Sequence, residues 1–388
     1  MYSKHNIFYI ISHPIQYQAP LLRLINESED ISVTALFYWD KKAEARFDQG
    51  FGQAVTWDVP LLSGYQYYYL SDLAKSISVF KKLWALWQSI DRKKYDIVWT
   101  HGYTDIYTFC AIIFAKLKGL RVFVRGESLH FPGQKKGSAK NILRKIFFAG
   151  LNCVVDRFLA VGTPNKNFYL SYNIAPEKIV LCQYTVDNDF FYQKYCESAK
   201  KIGEIKASLQ LAVDRPIILY ASKFITRKYP IDLLHAFRKL NVSIKPYLLF
   251  IGTGETLNAV KAEAQSDQDS VRFLGFKNQS ELPDYYAIAD VLVLPSERET
   301  WGLIVNEAMN AECAIVVSDQ VGCAIDLVKS GVNGFIFPAR DVAALSECLR
   351  KIITDSALCD SMKKNSRKII SHWGLPETVN GLRTACAE

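Results

Sequence analysis

The chain has 388 residues, of which 49% are hydrophobic and 22% are charged. This length exceeds an ordinary single domain and indicates two or three domains, and the composition excludes wholesale disorder. No apolar run approaches the roughly 18 residues that a membrane-spanning helix requires. The first apolar run breaks at His13-Pro14 without a small-residue cleavage site, so we do not expect a secretory signal.

The spacing of the cysteines and the distribution of charge indicate the compartment and the kinds of partner that suit this protein. None of the nine cysteines stands at two-residue spacing from another, which argues against a disulfide scaffold or a zinc knuckle and favours a reducing cytosol. The net charge of +8 is uneven, since residues 1–190 hold 23 Lys+Arg against 16 Asp+Glu and the remainder 24 against 23. The basic first half favours anionic partners such as phosphates or an acidic membrane surface, although an ordinary basic surface explains it equally well.

Short apolar runs alternate with longer amphipathic stretches along the chain. In the first half we predict strands at 6–12, 31–37, 97–100 and 121–125 and helices at 17–27 and 79–90. After a polar stretch at 192–214 the pattern restarts, with strands predicted at 216–221, 246–252, 271–275, 291–295 and 314–318. Such alternation predicts two doubly wound α/β domains, whose ligands bind at the carboxyl ends of the strands.

Two glutamates follow the predicted strand 291–295. A helix is expected from Gly302, and its free N–H groups offer an anion site at the sheet's carboxyl edge. Glu299 precedes this helix and Glu307 lies inside it, eight residues on, so both carboxylates are expected to point toward one cleft. A solvated helix with an acidic first turn is the competing interpretation, but a carboxylate amid apolar neighbours is costly without a partner.

Cations and glycines follow two further strands. Lys223, Arg227 and Lys228 come after the strand at 216–221, where they form either a diphosphate site or, more commonly, a solvated basic turn. Gly252 and Gly254 follow the strand at 246–252 and permit close approach of the backbone to a ligand.

In this order, the motifs resemble the C-terminal half of the family-4 glycosyltransferases, retaining enzymes of the GT-B fold. The resemblance covers residues 214–375 and includes Val321-Gly322 and the run 331–335; the first half matches more loosely at 96–102, 125–127, 160–162 and 177–180. The chain departs from the family at Lys223, where an arginine is usual, in the first-strand loop 12–17, which lacks paired glycines, and at 182–187.

The resemblance implies an α/β protein with two Rossmann-like domains facing each other across a cleft. It implies an acceptor-binding domain at 1–192, a nucleotide-sugar-binding domain at 193–375 and a segment 376–388 that returns to the first domain. The implied activity is transfer of a sugar from a nucleotide diphosphate to an acceptor with retention of anomeric configuration.

The resemblance also implies roles for individual residues. Lys223 and Lys228 stabilise the departing diphosphate, and Glu299 orients the donor sugar. The implied donor-binding residues are Glu307, which accepts hydrogen bonds from the ribose hydroxyls, together with Gly252, Gly254, Gly302, Leu303 and Arg227. From the first domain, the candidates to face the cleft are His13, Glu127 and His130.

No metal or cofactor is expected beyond the nucleotide-sugar co-substrate. Two Asp-x-Asp sequences, beginning at Asp187 and Asp267, match the metal signature of a different glycosyltransferase fold, but their positions predict turns. The lysines and the helix terminus are expected to take the electrostatic role of a metal ion.

Two segments of the first half combine lysines with large apolar residues. Lys75, Lys81 and Lys82 surround 79–87, and Lys135, Lys136, Lys140, Arg144 and Lys145 accompany 142–148. Such helices lie in an anionic membrane interface or pack on the core with a solvated basic face, and both interpretations stay open. The membrane interpretation predicts a cytoplasmic enzyme, peripheral at the inner face of the plasma membrane, with a lipid-linked glycan acceptor.

Three other functions compete with transfer. A sugar-nucleotide 2-epimerase uses the same fold, and a non-catalytic protein of this fold retains nucleotide-sugar binding alone. Nucleic-acid binding ranks last, because the sequence contains no recognisable nucleic-acid-binding module.

Overall fold

The computed structural model describes residues 4–39, 46–76, 78–130, 139–240, 243 and 245–387. The chain divides into two compact units. The first consists of residues 1–46, 60–184 and 375–388, and the second of residues 47–59 and 185–374.

A parallel seven-stranded sheet forms the centre of the first unit, in the order β5-β2-β1-β6-β7-β8-β9. Its strands are β1 (His5–Ile11), β2 (Ile31–Phe37), β5 (Gln66–Tyr69), β6 (Ile97–His101), β7 (Arg121–Arg125), β8 (Arg157–Ala160) and β9 (Ile179–Leu181). Its helices are α1 (Ala19–Asn26), α2 (Leu70–Ala74), α3 (Val79–Ser89), α4 (Ile106–Leu117), α5 (Ala139–Val154), α6 (Thr163–Ser171) and α16 (Leu375–Ala387).

Side-chain alternation along the strands builds a core on both faces of this sheet. In β1, Ile7, Tyr9 and Ile11 join one hydrophobic cluster with α1 and α16, whereas Phe8 and Ile10 join another with α3, α4 and α5. Because successive side chains point to opposite faces and both faces are buried, the strands consist of continuous apolar runs. β1 ends at Ile11, which pairs with Phe37, so the strand ends one residue before the predicted end at Ser12.

A parallel six-stranded sheet forms the second unit, in the order β12-β11-β10-β13-β14-β15. Its strands are β10 (Ile217–Ala221), β11 (Tyr247–Ile251), β12 (Val271–Phe273), β13 (Val291–Leu294), β14 (Ala314–Ser318) and β15 (Gly334–Phe337). The helices are α7 (Asn188–Ala199), α8 (Ile202–Ser208), α9 (Pro230–Arg238), α10 (Leu257–Glu263), α11 (Leu282–Ile288), α12 (Leu303–Asn310), α13 (Ala324–Leu327), α14 (Val342–Ile353) and α15 (Ser356–Ile370). A small two-stranded sheet pairs β3 (Arg46–Asp48) with β4 (Gln53–Val55).

The units differ in extent from the domains expected from the sequence. The boundary lies between Tyr184 and Thr185 rather than at 192/193, because α7 packs on α11 and α12 of the second unit. The segment Phe47–Val59, expected in the first domain, belongs to the second unit. The C-terminal helix α16 lies in the first unit, where it packs on α1 and β9.

Within the described ranges, no helix combines the length and the hydropathy that crossing a membrane requires.

Candidate functional site

The chain order of the second sheet reverses at β10 and β13, which are neighbours in space. Ligands of doubly wound sheets bind outside the carboxyl ends of the strands at such a switch point. The loop after β10 carries Lys223, Arg227 and Lys228, and the loop after β13 carries Glu299. The fold therefore brings two of the sequence-predicted motifs to the position where a ligand is expected.

Hydrogen bonds join these two loops directly. The Glu297 amide donates to the carbonyl of Arg227 at 2.9 Å, and the Arg227 guanidinium donates to the carbonyl of Arg298 at 2.9 Å. Lys228, which follows Arg227, and Glu299, which follows Arg298, form an ion pair. Arg227 thus holds the two loops together as well as adding positive charge.

The Lys228–Glu299 pair is almost completely buried, with 7% and 9% of the two residues exposed. Burial and the neighbouring cations Arg227 and Lys223 lower the pKa of Lys228 to about 7. The adjacent carboxylate of Glu299 acts in the opposite direction, because a nearby negative charge favours the ammonium form. The ion pair thus opposes the loss of the proton that burial favours.

The loop that carries Glu299 is fixed from its other side. The Glu299 amide donates to the carbonyl of Gln320 at 3.1 Å, and its carbonyl accepts from the amide of Gly322 at 3.0 Å. Gly302 caps α12 with a φ of 99°, and a Cβ there would lie 3.0 Å from the Leu294 side chain. The glycine is required by this left-handed turn. The helix begins at Leu303, one residue after the predicted start.

Glu307 lies inside α12 and is bonded to a different element. The hydroxyl of Tyr286, on α11, donates to Glu307 Oε2 at 2.6 Å. Burial raises the pKa of Glu307 to about 7, although the hydrogen bond from Tyr286 opposes the shift. Glu299 and Glu307 thus have separate partners, and their predicted convergence on one ligand stays a prediction.

Gly252 and Gly254 both have positive φ, at 127° and 144°. A Cβ on Gly252 would lie 2.0 Å from the carbonyl oxygen of Ser222, and one on Gly254 would lie 2.4 Å from that of Phe224 and 2.7 Å from that of Gly50. The chain's own backbone therefore requires both glycines, whereas the sequence interpretation assigned them to a ligand. Their contact with the nucleotide stays a prediction.

Lys223 contacts the segment Phe47–Val59. Its ammonium lies 2.9 and 2.8 Å from the two carboxylate oxygens of Asp48 and 4.7 Å from the centre of the Phe51 ring. Burial works against ionisation of Asp48, but the hydrogen bond and charge of Lys223 outweigh it and lower the pKa of the carboxyl. The hydroxyl of Thr253 donates to the carbonyl of Phe51 at 2.7 Å, so this segment also covers the glycine loop.

The first-unit candidates have distinct surroundings. His13 bonds to the hydroxyl of Ser12 at 2.8 Å and stacks on Trp39, with ring centres 4.5 Å apart. His130 bonds to Ser171 of α6 at 2.5 Å and packs on aromatic rings of that region. Glu127, at the carboxyl end of β7, joins a polar cluster at the sheet edge.

Sequence reasoning missed Asp48, His101 and Tyr184. Asp48 is distant in the chain from the strand whose lysine it binds, and no motif marks it. His101 belongs to none of the predicted site motifs, but the structure links it to Glu127 at 3.2 Å and to Tyr184 at 2.8 Å. Its position as the last residue of β6 was the signal available in the sequence.

The two Asp-x-Asp sequences have local partners. Asp187 caps α7 by accepting a hydrogen bond from the Phe190 amide at 3.1 Å, and Asp267 pairs with Arg238 at 2.8 Å. In the part of the chain that the structure describes, no group of three or more His, Cys, Asp or Glu residues lies close enough to hold a metal ion.

Part of the chain matches the model of a known protein family. The model of the family described as "Glycosyl transferases group 1" matches residues 201–369, which include β10 to β15 and both glutamates. The capsular polysaccharide biosynthesis glycosyltransferase CapM of Staphylococcus aureus is 28% identical over 271 residues, covering 67% of each chain. The Escherichia coli UDP-Gal:alpha-D-GlcNAc-diphosphoundecaprenol alpha-1,3-galactosyltransferase is 24% identical over 329 residues, covering 81% of this chain and 82% of the relative.

Solved structures share the fold at low sequence identity. The Anabaena Alr3699/HepE complex with UDP superimposes with a TM-score of 0.74 at 16% identity, covering 99% of both chains. The lipopolysaccharide outer core galactosyltransferase WaaB gives a TM-score of 0.66 at 17% identity, covering 98% of this chain and 99% of that one.

Proposed function

We propose that the chain, which has the GT-B fold and resembles glycosyltransferase family 4, is a glycosyltransferase that transfers a sugar from a uridine diphosphate carrier to a lipid-linked glycan with retention of anomeric configuration. Three observations support the donor. HepE was crystallised with UDP and with UDP-glucose, and the Escherichia coli relative is named for UDP-Gal. The cation cluster at the β10/β13 switch point suits a diphosphate.

The observation that carries the proposal is the buried Lys228–Glu299 pair at that switch point. As the bond between the sugar and the diphosphate breaks, negative charge grows on the leaving phosphate and the sugar becomes oxocarbenium-like. Lys228, with Arg227 beside it and the N-terminus of α12 four residues after Glu299, supplies positive charge for the phosphate. Glu299 favours the charged form of the ammonium and orients hydroxyls of the donor sugar.

The proposed acceptor is supported by the relatives and by one surface of the first unit. CapM is named for capsular polysaccharide biosynthesis, and the galactosyltransferase is named for a diphosphoundecaprenol substrate. We define the basic apolar face as the exposed sides of α3, α4 and α5, in which α4 contacts both of the other helices. Its exposed large apolar residues are Val79, Phe80, Trp84, Ile106, Phe109, Leu117, Ile142, Leu143 and Ile146.

The charges of the same three helices favour an anionic membrane surface as the partner. They carry six Lys or Arg residues (Lys81, Lys82, Lys116, Lys140, Arg144 and Lys145) and no Asp or Glu. Lys82 is buried and Lys116 pairs with Asp156, so the exposed Lys81, Arg144 and Lys145 carry the argument. A second copy of this chain would present the same positive charge and be repelled. Lys135 and Lys136, which belong to the same prediction, lie outside the described residues.

The proposed location is supported by this surface and by the cysteines. All nine cysteines are free thiols, as a reducing compartment permits. We place the enzyme in the cytoplasm, peripheral at the inner face of the plasma membrane, where anionic lipids and nucleotide sugars are both available.

Incubation of the purified protein with UDP-, GDP- and ADP-sugars and a bacterial lipid extract tests the transferase. We expect UDP release that requires the extract, and a product whose anomeric configuration, measured by NMR, matches that of the donor. A product of opposite configuration would contradict retention, and release from GDP- or ADP-sugars alone would contradict the uridine carrier. Epimer formation from the donor without extract would favour the epimerase instead.

Co-sedimentation with vesicles tests the basic apolar face. Each exposed cation near an anionic surface contributes about 1 kcal/mol, so phosphatidylglycerol vesicles should bind the protein and 0.5 M salt should release it. The double variant F80S/W84S should lose most of this binding, because it removes side chains that are 85% and 62% exposed. The matched variant V213S/I325S removes exposed apolar residues of the second unit and should bind as the wild type does. Equal binding by both variants would refute this surface.

A further inference from the structure

The first sheet has a switch point of its own. Its order places β1 between β2 and β6, so the chain winds in opposite directions from β1 and β6. Four residues meet at this edge: His101, which ends β6, and Glu127, Tyr17 and Tyr184, which follow β7, β1 and β9. By the rule applied to the second unit, this edge is where the first unit should bind a ligand.

One oxygen of Glu127 is fully engaged by this cluster. Glu127 Oε1 accepts hydrogen bonds from the Tyr184 hydroxyl and, at 3.2 Å, from His101 Nε2. His101 Nδ1 lies 2.7 Å from the hydroxyl of Tyr9. Burial raises the pKa of Tyr9 well above its usual value, so the phenol stays protonated. In the tautomer with the proton on Nε2, His101 accepts from Tyr9 at Nδ1 and donates toward Glu127 and the Tyr184 oxygen, which lies 2.8 Å away.

The surroundings hold Glu127 as a carboxylate. Burial alone would raise its pKa, but the hydrogen bonds from His101 and Tyr184 and the charge of Arg125 outweigh burial and lower it. Arg125 is 1% exposed and lies between the rings of Trp99 and Tyr184, at 5.1 and 5.3 Å from their centres. Its position under the cluster is fixed by a 2.8 Å hydrogen bond to the carbonyl of Cys182.

The second oxygen of Glu127 is open to a ligand. Within the described residues no hydrogen bond reaches Oε2, and 37% of the Glu127 side chain is exposed, compared with 11% for His101. The rings of Tyr17 and Tyr184, with centres 5.5 Å apart and planes inclined at 63°, pack against each other beside the carboxylate. An ionised, half-satisfied carboxylate beside aromatic rings suits a polyhydroxylated ligand, because its remaining lone pairs accept hydrogen bonds from hydroxyl groups.

We propose that Glu127 Oε2 binds a hydroxyl group of the acceptor glycan, with His101 and Tyr9 as positioning residues that hold Oε1. This inference rests on the proposed function and adds to it a binding group for the acceptor. The site lies in the first unit and uses none of the residues of the Lys228–Glu299 site. Donor binding and acceptor binding therefore have separate chemical tests.

Saturation-transfer NMR with methyl glycosides of glucose, galactose, N-acetylglucosamine and rhamnose tests this site in the full-length protein. We expect at least one glycoside to bind the wild type and its affinity to fall by about tenfold or more in E127Q, since a hydrogen bond to a charged group is lost. E177Q, which neutralises an exposed carboxylate of the same unit, should bind as the wild type does. Equal binding by E127Q, or no glycoside binding to the wild type, would overturn the proposal.

Two controls separate this site from the donor site and from mere folding. UDP should raise the unfolding temperature of E127Q as much as that of the wild type, whatever the glycosides do, so a missing UDP effect would instead count against the proposed function. In Y9F the long-range ¹H–¹⁵N signals of His101 should change tautomer pattern and glycoside binding should weaken. Unchanged glycoside binding in Y9F despite an altered His101 signal would contradict the positioning role.

Discussion

Replacing Glu307 with glutamine should change how the stability of the protein depends on pH. Glutamine keeps the size of the side chain and can still accept the hydrogen bond that Tyr286 donates at 2.6 Å. The wild-type carboxyl has its pKa raised by burial from 4.5 to about 7. A group whose folded pKa is raised stabilises the fold fully below the unfolded pKa and loses that contribution as pH rises through the folded pKa.

The size of this effect follows from the pKa difference. The interval between 4.5 and about 7 corresponds to roughly 3 kcal/mol, because each pH unit is equivalent to about 1.36 kcal/mol. Between pH 4.5 and 8 the free energy of unfolding of the wild type should therefore fall by about 3 kcal/mol relative to E307Q. Urea unfolding of both proteins at several pH values measures the difference. E297Q, which changes an exposed carboxylate of the preceding loop, is the control. Parallel stability curves for the wild type and E307Q would refute the reasoning.

Three further substitutions test other contacts of the second unit. E299Q removes a negative charge that favours the ammonium form of Lys228, so turnover should fall by about 10²- to 10³-fold. The loss should be larger at pH 8 than at pH 6.5, and a pH-independent loss would contradict this role. D48N frees the Lys223 ammonium and should tighten UDP binding about threefold to fivefold by calorimetry, since such partly exposed pairs contribute up to about 1 kcal/mol; weaker binding would mean that Asp48 positions the lysine. G254A places a Cβ 2.4 Å from a backbone oxygen and should cost about 3 kcal/mol or more in urea unfolding, whereas G203A, in an open helical position, should cost nothing.

Apolar periodicity was sufficient to predict the architecture of both units. The strands β2, β7 and β14 have the predicted bounds, because buried parallel strands are continuous runs of β-branched and aromatic residues. The short strands β8, β9 and β15 have three or four residues each and were not predicted as strands. Runs of that length lack a period that distinguishes them from turns.

The site was predicted where its residues follow a strand directly and missed where they come from elsewhere in the chain. Lys228 and Glu299 were identified from their position after strands, and the structure pairs them. The contact of Asp48 with Lys223 joins residues 175 positions apart, and no local pattern encodes it. Lys228 pairs with Glu299, and Glu307 accepts a hydrogen bond from Tyr286; both partners belong to other elements of the fold. The pKa shifts of Lys228 and Glu307 therefore could not be predicted from the sequence.

Calorimetric titration with UDP and UMP tests the central claim, that the cations at the β10/β13 switch point bind a diphosphate. The wild type should bind UDP at least about tenfold more tightly than UMP, because the second phosphate adds charge-assisted hydrogen bonds. K228M should lose most of this preference, whereas K239M, which changes an exposed lysine of the same unit, should keep it. An unchanged preference for UDP in K228M, or no preference in the wild type, would contradict the account.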